Sequence, residues 1–111
     1  RLNDKANFPN LQCDSTSDYI KNKVSPALSS TAAHTADYYL TYYDTANSST
    51  VVGLPAGPIC NPGIDAIDAA LYPADTNNYY FFHDNKRNLY TAETYPEFQQ
   101  KANTYAPYLN F

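Results

Sequence analysis

All three glycines of the chain and three of its eight prolines fall within Gly53-Leu54-Pro55-Ala56-Gly57-Pro58-Ile59-Cys60-Asn61-Pro62-Gly63. Proline holds φ near one value and gives up its N–H, while glycine opens φ > 0 and lets another group approach the main chain closely. Alternated over so short a stretch, the two residue types dictate a bent, stiff loop, and a stiff loop can line a cleft. Asn61 as an N-cap and Pro62 at the first helical position then open a helix over about residues 62–72, with Ile64, Ile67 and Leu71 at helical spacing. Asp65 and Asp68 lie near the positive end of its dipole, and Pro73 stops it.

The remaining elements are shorter. Asp14 or Ser15 caps a helix over about residues 16–23, whose apolar positions are Tyr19, Ile20 and Val24, and Pro26 closes it. Residues 25–36 are rich in Ser, Thr and Ala and read as a loop. The stretch Ala36 to Tyr43 supports two readings: Tyr38, Leu40 and Tyr42 alternate as in a strand, while Tyr38, Tyr39, Tyr42 and Tyr43 share a helical face. The extended reading is preferred. Asn47-Ser48-Ser49 makes a polar turn. Tyr79 to His83 is a strand by aromatic content, Asp84 to Asn88 a turn, and Leu89 to Ala92 the antiparallel return. Thr94 and Glu97 form a capping box for a helix over about residues 95–105, with Phe98, Ala102 and Tyr105 as its buried stripe. The fold class expected is α+β, a small antiparallel hairpin packed with about three helices.

Composition narrows the function classes. With 111 residues, 43% of them hydrophobic, the chain is one small domain or a piece of one. A net charge of -4 and only seven Lys and Arg argue against a nucleic-acid partner, which requires a basic face. No run approaches the roughly 20 apolar residues that cross a bilayer, and the first residues carry no signal-peptide pattern. Two histidines, His34 and His83, and two isolated cysteines lack metal-ligand spacing. Cys13 and Cys60 read as small buried thiols, with a disulfide between them as the alternative. Twelve tyrosines supply apolar area with a polar tip, suited either to a surface that meets sugars or to a core and rim built from tyrosine.

The glycine-proline segment, followed by Ala69-Ala70-Leu71-x-Pro73-Ala74 and Tyr79-Tyr80-Phe81-Phe82, resembles the core signature of the YceG-like family. These are the MltG-like endolytic murein transglycosylases, some of which carry an older label of aminodeoxychorismate lyase. Upstream, Leu11-Gln12-x-Asp14-x-Thr16 resembles the family's Leu-Gln-x-Asp-Pro-Thr segment, with Ser15 in place of proline. Tyr43-Asp44-Thr45 resembles its Tyr-Asn/Asp-Thr-Tyr element, with Ala46 in place of the second tyrosine. The family's histidine on the returning strand has no counterpart near residues 88–90.

The resemblance implies the downstream portion of a larger catalytic domain that cleaves the bond between N-acetylmuramic acid and N-acetylglucosamine, leaving 1,6-anhydro ends. One carboxyl group with a raised pKa would act as acid and then as base. The family's catalytic glutamate lies upstream of the segment matched here, so residues 1–111 alone are expected to be inactive, with no catalytic residue in this chain. Gln12, Asp14, Thr16, Tyr43, Asp44, Gly57, Asn61 and Gly63 would form one wall of a glycan cleft. Gln12 and Asn61 would exchange hydrogen bonds with acetamido groups and hydroxyls, and Tyr43 would stack on a ring. No cofactor is implied; the lyase label would require a Schiff-base lysine for pyridoxal phosphate, and the five lysines all sit in polar contexts. The implied partners are peptidoglycan strands and the cell-wall synthesis machinery, at the outer face of the bacterial cytoplasmic membrane, with the anchor outside this chain. A non-catalytic glycan-binding module is the alternative.

Overall fold

The computed structural model describes residues 1–41 and 51–111, which divide into two compact units, Arg1–Gly63 and Ile64–Phe111. The architecture is α+β, with three α-helices and one two-stranded antiparallel sheet among the described residues.

In the first unit the polar entry is pinned by its own side chains. Arg1 donates from Nη1 to the Leu11 carbonyl at 2.9 Å and lies over the Phe8 ring at 5.1 Å. Asn10, 6% exposed, forms an isolated parallel bridge with Gly53, and its side-chain amide donates to the Val51 carbonyl at 3.2 Å. The Gly53 N–H donates to the Pro9 carbonyl at 2.9 Å. Thr41, fully buried, accepts from the Gln12 N–H at its carbonyl (3.0 Å) and from the Cys13 N–H at its hydroxyl (3.2 Å). These bonds tie three segments distant in sequence into one frame, and they satisfy backbone groups that an irregular buried loop would otherwise leave unpaired.

Helix α1 covers Asp14–Tyr19 and continues as a π-helical turn, Ile20–Val24, and a 3-10 turn, Ser25–Ala27, around Pro26. Neither Asp14 nor Ser15 is the cap. Cys13 holds that position in extended backbone, and Asp14 falls in the first turn, where the dipole favours its carboxylate. The helix therefore begins earlier than its polar residues suggest, because Thr41 holds the Cys13 N–H from outside the helix. Ala36–Tyr39 is a 3-10 turn, against the extended conformation preferred from sequence. Its cause is visible in His34 and Tyr38, whose rings stack at 3.7 Å with an interplanar angle of 4°, a contact between residues four apart that an extended chain would hold far beyond reach. The thiols are free, Cys13 half-buried and Cys60 exposed, which corrects the expectation of a buried pair. Tyr43, Asp44 and the Asn47-Ser48-Ser49 turn lie outside the described residues.

In the second unit α2 spans Ile64–Leu71, so Asn61 and Pro62 precede it instead of capping it. Strand β1 (Tyr80–His83) pairs with β2 (Leu89–Ala92) in the register Tyr80 to Ala92 and Phe82 to Tyr90. Helix α3, Tyr95–Tyr105, packs on both strands. Thr94 accepts from the Glu97 N–H at 3.4 Å, while the Glu97 carboxylate accepts from the Glu93 N–H at 3.1 Å, one residue beyond the N-cap partner of the expected reciprocal bond. The core consists of Phe82, Ala92, Phe98, Ala102 and Ala106. The helix stripe thus runs 98, 102, 106 at i, i+4 spacing. Tyr105 is 53% exposed and instead lies flat on Tyr90 with centroids 4.7 Å apart.

Asp84 organises the hairpin turn. Its Oδ1 accepts from the Lys86 and Asn88 N–H groups, both at 2.9 Å, and its Oδ2 from the Asn88 amide at 2.8 Å and the Tyr90 hydroxyl at 3.2 Å. Arg87 sits in the left-handed region at φ 66, which the bracing of its neighbours holds in place. The Asn88 amide, outweighing the opposing desolvation together with the other donors, holds the Asp84 carboxyl below its ordinary pKa. A carboxylate whose folded pKa is depressed stabilises the fold above its unfolded pKa, and that contribution is lost as pH falls through the folded value. The protection of the Lys86 and Asn88 amides against exchange, measured relative to their intrinsic rates, is therefore expected to fall on acidification below the usual carboxylate range, and Asp84→Asn should show little protection already at neutral pH and lose the acid dependence.

Candidate functional site

A cavity of about 240 Å³ opens within the first unit. One wall is the face of α1 and its π turn that carries Thr16, Tyr19, Ile20 and Val24, joined by Tyr39 from the 3-10 turn. The other wall is the bend itself, Pro55 to Ile59. A π turn takes more residues per turn than an α-helix, so Ile20 and Val24 stay on one face with Thr16. Thr16 (4% exposed) and Ile20 (5%) form the floor, while Ala56, Gly57 and Pro58 are exposed at the rim. Among the described residues the lining contains no charged side chain.

Of the residues singled out from sequence, the cavity brings together Thr16 and Gly57. Gln12 is exposed just ahead of α1 at φ 54, and Asp14 is exposed in the helix's first turn. Asn61 and Gly63 are exposed beyond the end of the bend and do not line it. An added Cβ at Gly57 or Gly63 would meet nothing within 4 Å, whereas Gly53, at φ 79, takes the conformation that requires glycine. Tyr19, Ile20, Val24, Tyr39 and the two prolines of the bend were not among the expected site residues. Their apolar spacing is readable in the sequence, but the pairing of that face with the bend is a tertiary fact.

Two carboxylic acids deserve comparison with the demands of proton transfer. Glu97 ion-pairs with Lys101, Oε1 to Nζ 2.6 Å, and this bond, followed by that from the Glu93 N–H, holds its pKa below the usual value. A general acid for glycoside cleavage needs the opposite shift. Glu93 is exposed at the junction of β2 and α3. At Cys13, burial raises the thiol pKa, but hydrogen bonds from the Ser15 hydroxyl (Sγ to Oγ 3.1 Å) and from Thr16 outweigh it and leave the thiol below its ordinary value. Among the described residues, no three His, Cys, Asp or Glu side chains gather as metal ligands.

The fold and cavity define an α+β protein with a groove between a proline-glycine bend and a short helix. The YceG-like family model matches residues 1–104, and the chain belongs to that family. No curated protein and no solved structure matches it.

Proposed function

We propose that this chain is part of a membrane-anchored endolytic lytic transglycosylase, and that it supplies one wall of the cleft that holds a peptidoglycan strand. The observation that carries the reading is the family's signature bend, Pro55 to Ile59, facing the helix that follows Gln12 and Asp14 across an open cavity. Family membership supports the chemistry. The proton donor is proposed to come from outside residues 1–111, since Glu97 is committed to capping and to Lys101 and its pKa moves the wrong way for an acid. That donor would protonate the glycosidic oxygen and then, as a carboxylate, take the proton of the sugar's own 6-hydroxyl as the anhydro ring closes. The site would face outward from the cytoplasmic membrane, where nascent strands emerge from the synthesis machinery. Gln12 and Asp14, exposed beside the cavity-lining helix, would serve hydroxyl and acetamido groups outside the cavity.

Digestion of purified peptidoglycan tests this. The chain extended upstream through the family's glutamate is expected to release anhydro-muropeptides detectable by mass spectrometry, and residues 1–111 alone are expected to release none. Binding without cleavage by the extended chain would favour a glycan-binding module. Cleavage by residues 1–111 would overturn the assignment of the donor.

A further inference from the structure

We propose that Thr41 is a positioning residue for the glycan strand, holding Gln12 in a strained backbone conformation that fixes where its carboxamide meets the strand; the inference rests on the glycan-cleft reading. Gln12 lies at φ 54, one of three residues other than glycine found in the left-handed region among the described residues. The other two have local reasons to be there. Arg87 closes the hairpin turn, its N–H donating to the Asp84 carbonyl at 3.0 Å, and Asn110 ends the 3-10 turn Pro107–Leu109. Gln12 stands in irregular backbone ahead of α1, where no turn geometry asks for a positive φ. Left-handed backbone is disfavoured for an L-residue, and the Gln12 side chain is exposed, so burial does not offset the strain.

The neighbours of Gln12 impose the conformation. The Leu11 carbonyl accepts from Arg1 Nη1 at 2.9 Å, the Gln12 N–H donates to the Thr41 carbonyl at 3.0 Å, and the Cys13 N–H donates to the Thr41 hydroxyl at 3.2 Å. Three consecutive residues are thereby fixed, two of them by one fully buried threonine. Strain of this kind persists only where the surroundings over-determine it, and it gathers where a ligand is held. Relaxation to a negative φ would turn the Cα–Cβ bond of Gln12 relative to the Leu11 peptide and carry the carboxamide elsewhere. A carboxamide donates and accepts, so its placement decides which hydroxyls of a sugar ring it can serve.

The test is a double-mutant cycle, read by calorimetric titration of residues 1–111 with solubilised peptidoglycan strands and by thermal melts in parallel. Gln12→Gly removes the carboxamide and the strain together, because glycine takes φ > 0 readily; affinity is expected to fall about three- to tenfold while the melting temperature holds or rises. Gln12→Ala should lose the same affinity and melt below Gln12→Gly. Thr41→Val, which exchanges the hydroxyl for a methyl group, should weaken binding when residue 12 is glutamine and leave it unchanged when residue 12 is glycine. Thr41→Ser, which keeps the hydroxyl, should bind as the wild type does. Equal losses from Thr41→Val in both backgrounds, or none in either, would overturn the inference and leave the glycan-cleft reading standing. So would a Gln12→Gly chain that melts below Gln12→Ala, whatever Thr41→Val does to folding. A wild-type chain shown to be folded that binds no strand would sink the reading together with the inference.

Discussion

Phe98→Ala is expected to lower the stability of the Ile64–Phe111 unit by about 3–5 kcal/mol, enough to unfold so small a unit, and a denaturant titration followed by aromatic circular dichroism would register it. Phe98 is 7% exposed and joins four other aromatic rings of that unit. Its ring lies edge to face with Phe82 at 5.6 Å, and within 6 Å of Tyr80, Tyr95 and Phe111. Alanine would remove the ring that joins α3 to the sheet and leave a void that the two-residue pleat of a single hairpin cannot close. The rest of the core on the helix side is Ala102 and Ala106, which have no side-chain length with which to fill it. A control at Tyr105, 53% exposed and merely stacked on Tyr90, should cost far less despite similar aromatic area. Comparable losses at both positions would show that the unit is held by its aromatic surface and not by the Phe98 centre.

Gly53→Ala and Gly57→Ala are expected to have opposite signs. At Gly53 the backbone sits at φ 79, where an L-residue carries a penalty of about 1–2 kcal/mol. The new Cβ would meet only the Lys5 side chain at 3.6 Å, an ordinary contact, so the cost is conformational and not steric. The strain would fall on the bridge between Asn10 and Gly53, and through it on the orientation of the bend. At Gly57 a Cβ meets nothing, and the backbone is not left-handed; alanine there should be neutral or stabilise by about 0.4–1 kcal/mol by narrowing the unfolded ensemble. Thermal melts of the two variants separate the cases. Equal destabilisation would mean that the bend needs both glycines for their backbone freedom.

That contrast separates local from tertiary control of the backbone. The bend was legible, since nothing but proline and glycine alternation produces it, yet the residues alone do not tell which glycine is conformationally required. The hairpin was legible because Tyr79 to His83 and Leu89 to Ala92 flank a turn-forming stretch, and the observed register places Phe82 opposite Tyr90. Thr94 and Glu97 likewise announced α3 within its first turn. By contrast Thr41 is an unexceptional residue in a tyrosine-rich stretch, yet it is fully buried and holds Gln12 and Cys13. Its role depends on a segment 28 residues away arriving beside it.

The candidate site divides the same way. Tyr19, Ile20 and Val24 were readable as an apolar helix face, and the stiffness of Pro55 to Ile59 as a lining element, because both properties are local: rotamers, φ limits and periodicity act over a few bonds. That the two surfaces face each other across a recess, with Gln12 and Asp14 outside it and Asn61 and Gly63 beyond its end, follows only from long-range closure. Closure is set by which buried polar groups find partners, here Asn10 with Val51 and Thr41 with Cys13, and no window of sequence contains both members of either pair.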